Sequence, residues 1–212
     1  MAAPDTHDRS LAKATTLSGF QVMDAIAPLE VIKVLNGAGV SFVLVGAYGL
    51  AGWTKKPRAT EDVDLVVAAR HHKKALRALL AAFPHLEADE YEVVTRLRDR
   101  ESRDVAVDVM KPNQPLYRET FKHTVQIHSG GQDYRIPSLE MALAMKFGSM
   151  ISLTRSDPDK LQDAADFSRM VLANPEIDLG QLAELGDLVY PGGGQEIVEK
   201  VRQVRAGEIL KL

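Results

Sequence analysis

Asp62 and Asp64 stand one residue apart in Glu61-Asp62-Val63-Asp64-Leu65-Val66-Val67, an apolar run carrying acids at alternate positions. Alternate residues of a strand point to the same face, so the two carboxylates project together while Val63 and Leu65 point the other way. Adjacent anions on a rigid face repel, and a fold tolerates them best where a cation is expected between them. Taken alone, the pair also suits the solvated face of a half-buried strand. Upstream, the apolar run Val43-Leu44-Val45 ends in Gly46, and Ala47 to Trp53 reads as a short helix. A residue without a Cβ at that junction lets backbone amides approach a phosphate closely. A phosphate cradle followed by a cation-binding strand describes a nucleotide site.

A second run further along the chain carries two more acids. In Asp104-Val105-Ala106-Val107-Asp108-Val109 the valines share one face and both aspartates share the other with Ala106. Asp108 lies deep in the run, where an unpaired carboxylate is costly, and is the candidate third ligand. Asp104 has the same parity but begins the run beside Arg103, where solvent or an ion pair explains it; strand register decides between them. Lys55, Lys56 and Arg58 form a basic turn ahead of the acid pair, suited either to solvent or to a triphosphate or nucleic-acid strand. Thr60 is placed to orient that turn by a local hydrogen bond. Lys146 falls on the apolar stripe of a helix, where it either snorkels outward or meets an anion inside. His71 and His72 point about 100° apart on a helix with no third ligand in step, so they read as a solvated helix start rather than a metal site. His123 and His128 lack ligand spacing and read as surface residues.

Val45-Gly46-Ala47 followed by Arg58-Ala59-Thr60-Glu61-Asp62-Val63-Asp64-Leu65 resembles the signature of the DNA polymerase β-like nucleotidyltransferases, nearest to their AbiEii-type and minimal branch. The resemblance spans about residues 30–170. It implies that Asp62, Asp64 and Asp108 hold two Mg²⁺ ions, that Gly46, Ala47, Arg58 and Thr60 belong to the nucleotide site, and that Lys146, in the segment from Ile136-Pro137-Ser138, reaches the phosphates. Asp159-Lys160-Leu161-Gln162-Asp163 inverts the first two residues of the family's Lys-Asp-Leu-x-Asp, and Asp163 is placed to orient Lys146 or Arg155. The implied activity is Mg²⁺-dependent transfer of an NMP group from an NTP to an acceptor hydroxyl on RNA such as tRNA, on a protein or on a small molecule. The implied setting is a toxin–antitoxin pair with a small helical partner protein. Ala47 departs from the family, which has Gly or Ser there; the missing hydroxyl removes a phosphate contact, so the second expectation is a non-catalytic binding or regulatory module.

The elements that must position these residues follow from periodicity. Phe20 to Leu35 suits a helix started or broken at Pro28 and closed by Asn36-Gly37, and Ser41 to Val45 a buried strand. Arg70 to Phe83 reads as a surface helix with one buried stripe. Tyr91–Leu97 and Asp104–Met110 form strands across the charged turn Asp99–Arg103, and Thr124–His128 and Asp133–Ile136 a hairpin across Ser129-Gly130-Gly131. A helix capped by Ser138 runs to about Leu153 on the stripe Leu139, Ala142, Leu143, Met150 and Leu153. The next helix starts near Pro158 with Leu161, Ala164, Ala165, Ser168, Val171 and Leu172 as its packed face and a solvated face for the remaining acids. Two further helices flank Tyr190-Pro191-Gly192-Gly193-Gly194, a glycine tract without the preceding strand and Lys-Ser/Thr of a P-loop, read as a flexible turn.

The expected fold is α/β (α+β), a nucleotidyltransferase fold with a mixed sheet flanked by helices. Residues 1–18 are expected to be a frayed or disordered arm, 19–136 the core, and 137–212 a helical C-terminal part packed on it. The 212 residues contain no cysteine, which excludes disulfides and thiolate metal sites and leaves oxygen or imidazole ligands. A net charge of −3 supplies no global field for nucleic acid. No apolar run approaches the ~18–20 residues that cross a bilayer, and the first residues lack a signal peptide's pattern, so a cytoplasmic protein with no membrane partner is expected.

Overall fold

Val63, Leu65 and Val67 fall on alternate positions of one strand and are fully buried, as are Val107 and Val109 on its neighbour. These residues mark one covered face of the sheet, and Val66 on the other face is fully buried too. In the computed structural model, which describes residues 26–55, 58 and 60–210, the chain forms two compact units. The arm at 1–18, the helix start at Phe20, and Lys56, Pro57 and Ala59 lie outside the described residues.

The first unit, ending at Pro137, carries the sheet. Helix α1 (Pro28–Gly37) leads into β1 (Phe42–Leu44), α2 (Gly46–Thr54) and β2 (Val63–Val67). A short 3₁₀ turn (Ala69–His71) and α3 (His72–Ala82) follow, then β3 (Leu86–Glu90), β4 (Val94–Asp99) and β5 (Val105–Met110). The order is β1-β2-β5-β4-β3, with β2 and β5 parallel and the other neighbours antiparallel. Helix α4 (Pro115–Glu119) precedes the hairpin of β6 (Thr124–Ser129) and β7 (Gln132–Pro137). Its two-residue turn puts Gly130 at φ 56° and Gly131 at φ 70°, the doubly left-handed geometry that matches strand twist.

Strand β3 was absent from the pattern reading because Leu-Glu-Ala-Asp-Glu is poor in β-formers; its acids decorate an exposed sheet edge, which blunts edge-to-edge pairing. The solvated start expected for α3 is also corrected. His71 Nδ1 accepts the backbone N–H of Ser41 at 2.9 Å, and His72 Nε2 lies 3.4 Å from the buried Thr95 hydroxyl, so both imidazoles tie α3 to the sheet. Burial, then the charge of Lys111, holds the His72 imidazole below the usual histidine range.

The second unit is helical: α5 (Leu139–Met150), α6 (Asp157–Ala173), α7 (Leu179–Asp187) and α8 (Gly193–Arg205). Ser138 caps α5 by accepting the Met141 N–H, and Ser156 caps α6 through Asp159. Helix α5 stops at Met150, and Leu153 beyond it is 96% exposed. The packed face of α6 is rotated from the expected one: Phe167, Met170 and Val171 are buried with Asp163 and Asp166, whereas Leu161 and Leu172 are exposed. Aliphatic spacing misled because the acids take the inward positions. The glycine tract is no flexible turn either, since Gly193 and Gly194 are buried where α7 crosses α8. A Cβ on Gly186 would lie 2.7 Å from Ile197 Cγ2 and 2.9 Å from Gly194 Cα. Small residues here let two backbones touch.

Phe167→Ala is expected to cost about 3–5 kcal/mol and Leu172→Ala less than about 0.5 kcal/mol in urea denaturation; equal costs would contradict the rotated face. Because His72 is depressed in the folded state, its contribution to stability is present above about pH 6.5 and lost as pH falls through the folded value. Melting temperatures of His72→Gln should therefore fall less steeply on acidification than those of wild type.

Candidate active site

Parallel pairing of β2 with β5 sets Asp64 directly beside Asp108. Asp62 precedes the first residue of β2 rather than lying within it, yet its carboxylate joins the other two. One oxygen from each of Asp62, Asp64 and Asp108 lies within 4.8 Å of the others, all three residues being partly exposed. Asp104 is exposed, outside β5 and not in the cluster; its N–H is donated to Ser102 Oγ at 3.2 Å. Register therefore separates the two candidates for the third acid.

The glycine is fitted to the acids. Gly46 adopts φ 60°, and a Cβ there would lie 2.6 Å from Asp64 Cγ and overlap the carboxylate. Both the left-handed backbone and the absence of a side chain are required at this position. The Val45 N–H bonds to the Asp64 carbonyl at 2.9 Å, so the end of β1 and the acid strand are locked together just before α2 opens. Gly46 and Ala47 open α2, the end of a helix at which the first amides lack an internal partner and an anion is favoured.

Thr60 donates to Asp62 Oδ1 at 2.6 Å, and Tyr48 on α2 donates to the Thr60 carbonyl at 3.4 Å. Burial, then the Asp62 charge, pushes the Tyr48 hydroxyl above its usual range and keeps it a donor. Arg58 is half-buried and Lys55 exposed. Sequence reasoning missed Tyr48 and also Arg96, which opposes Asp108 across the antiparallel β4–β5 pair with Nε 3.5 Å from Asp108 Oδ1. Neither residue belongs to the quoted signature, and Arg96 could be found only with the register of β4 in hand.

In the helical unit, Lys146 does not snorkel. Its ammonium sits 2.7 Å from Asp163 Oδ1 and 3.1 Å from Asp166 Oδ2, both aspartates being almost wholly buried. Arg155 closes on Asp163 Oδ2 at 2.9 Å and Arg169 on Asp166 Oδ1 at 3.2 Å. Asp163 meets Lys146 and Arg155, the two residues it was expected to orient, whereas the solvated face assigned to the remaining acids of α6 is wrong for Asp166; together the two aspartates form the anionic half of a buried network.

A mixed sheet whose parallel strand pair gathers three acids, Asp64 and Asp108 on the strands and Asp62 just before one of them, with a glycine-opened helix beside them, is a nucleotidyltransferase fold. The family described as "Nucleotidyl transferase AbiEii toxin, Type IV TA system" matches residues 33–195, and the chain belongs to it. Among solved structures, a nucleotidyltransferase-like protein from Paracoccidioides brasiliensis is similar at 22% identity and a TM-score of 0.52, with 87% of this chain and 92% of that one covered. The antibiotic-resistance factor ANT(2″)-Ia is similar in fold at 8% identity and a TM-score of 0.53, with 85% and 96% covered. No curated protein sequence matches the chain.

Asp163→Asn leaves the buried Lys146 ammonium with Asp166 alone and frees the half-exposed Arg155, and an expected loss of about 3 kcal/mol in urea denaturation follows. Gly46→Ala is expected to displace the Asp64 carboxylate and weaken Mg²⁺–ATP binding in calorimetric titration at least tenfold; unchanged affinity would show that the close approach of Gly46 to Asp64 is irrelevant to the ligand.

Proposed function

We propose that the protein transfers a nucleoside monophosphate from an NTP to an acceptor hydroxyl, with Asp62, Asp64 and Asp108 holding two Mg²⁺ ions. The observation that carries this reading is the convergence of three carboxylates within 4.8 Å beside a glycine that a Cβ would drive into Asp64. The donor set fits the ion: carboxylate oxygens only, with no cysteine anywhere in the chain, suit a hard divalent cation. Bound there, such ions would neutralise the triphosphate and its leaving pyrophosphate and acidify the acceptor hydroxyl.

The protein's own groups do the rest. The amides at Gly46 and Ala47 bind phosphate oxygens, with Arg58 as a further phosphate partner on the family pattern, whereas Lys146 is held by Asp163 and Asp166 within the helical unit. Thr60, held by Tyr48, fixes the Asp62 carboxylate so that it need not reorganise when substrate arrives. Asp108, on the neighbouring strand, takes the acceptor side and accepts the hydroxyl proton. Membership of a toxin family supports a toxin role and a small helical antitoxin as partner. Among the described residues no helix is long and apolar enough to cross a membrane, which accords with a cytoplasmic setting.

Ala47 favours a second reading, a non-catalytic module that has kept the fold, because it offers an amide but no hydroxyl to the phosphates. The two readings separate in one assay. Pyrophosphate release from NTPs with Mg²⁺ is expected for wild type, abolished by EDTA and reduced at least a thousandfold in Asp62→Ala/Asp64→Ala. Wild-type rates no higher than the double variant would leave the non-catalytic module standing.

A further inference from the structure

Arg96, Asp108 and Asp64 lie in one row across β4, β5 and β2, because the registers set Arg96 opposite Asp108 and Asp108 opposite Asp64. A cation thus flanks the acid cluster on the side of the third carboxylate. The contact is unusual for a structural ion pair, in which an arginine closes on its carboxylate at about 2.7–2.9 Å, often through two parallel bonds. Here Arg96 Nε stands 3.5 Å from Asp108 Oδ1, is buried, and makes no hydrogen bond among the described residues. A buried donor nitrogen left in this state on an otherwise half-exposed guanidinium calls for a reason.

The guanidinium has a second support. It lies over the ring of Tyr91, 5.6 Å from the centroid, in the turn between β3 and β4. Two residues just beyond β5 pin that turn: Lys111 Nζ donates to the Tyr91 carbonyl at 2.6 Å, and Asn113 Nδ2 to the Glu92 carbonyl at 2.8 Å. The shelf under Arg96 is therefore fixed to the strand that carries Asp108. The charge is held beside the carboxylate without occupying its oxygens in a tight bidentate lock.

We propose that Arg96 is a positioning residue for the reaction, a standing counter-charge that steadies Asp108 and lowers the affinity of the cation position Asp108 shares, so that the Asp62–Asp64 position loads first. The proposal rests on the metal-dependent reading of the acids above. It follows from two facts. Three carboxylates this close destabilise one another until a cation arrives, which Arg96 relieves. The same positive charge then opposes a divalent ion at the oxygen it faces.

The test is Mn²⁺ titration of the full chain, free ion being read by electron paramagnetic resonance, with melting curves taken without metal as a check on folding. Wild type should show a tight and a weak site. Arg96→Met, which keeps the apolar stem, should tighten the weak site roughly two- to fivefold, the equivalent of one half-exposed ion pair, and leave the tight site unchanged. Arg96→Lys should restore the weak affinity, and Asp108→Asn should abolish the weak site. Arg96→Gln serves in place of Arg96→Met if the latter does not fold. An unchanged or weakened second site in the neutral variants overturns the proposal and leaves Arg96 a structural pair, as does a single class of site in wild type. Absence of any Mn²⁺ binding by wild type overturns the metal reading itself.

Discussion

Mutual repulsion among Asp62, Asp64 and Asp108 is the constraint around which the first unit is arranged. At a separation of 4.8 Å, two carboxylates repel by roughly 3–4 kcal/mol at an effective dielectric of about 20. Such a cluster persists only if strong, unrelated interactions force it. Parallel pairing of β2 with β5, with Val63, Leu65, Val107 and Val109 wholly buried behind the acids, supplies that force. Burial of those side chains contributes about 1.5–3 kcal/mol each, enough to outweigh the repulsion on the opposite face.

The helical unit meets the opposite problem with the same chemistry. Lys146 and the acids of α6 are buried charges that would each be costly alone, and they are arranged so that every one has a partner. An apolar core of equal volume would be as stable or more so. What the network adds is definition: it fixes how α6 turns about its axis against α5, and so accounts for a helix that buries aspartates while exposing Leu161 and Leu172.

The elements most legible in the sequence were those whose pattern is local. Alternating valines marked β2 and β5, the two glycines marked the β6–β7 turn, and Ser138 marked the start of α5. Strand β3 was missed because its acids hide a strand that exists by pairing with β4. The face of α6 was misplaced because hydrophobic spacing ignores charges that find partners from another helix. The glycines at 193 and 194 read as loose when they sit buried in a close helix crossing, since close backbone approach leaves no trace in a sequence beyond the glycine itself.

Residue types and short spacings alone determined that Gly46 opens a helix after an apolar strand, and that a valine-flanked aspartate follows on another strand, because each of these depends on the backbone pattern within a few residues. Only the tertiary structure decided that Asp108 rather than Asp104 meets the pair, that Arg96 stands beside it, and that Lys146 is enclosed by two buried carboxylates. Those outcomes depend on strand register and helix rotation, which are set by contacts between segments distant along the chain.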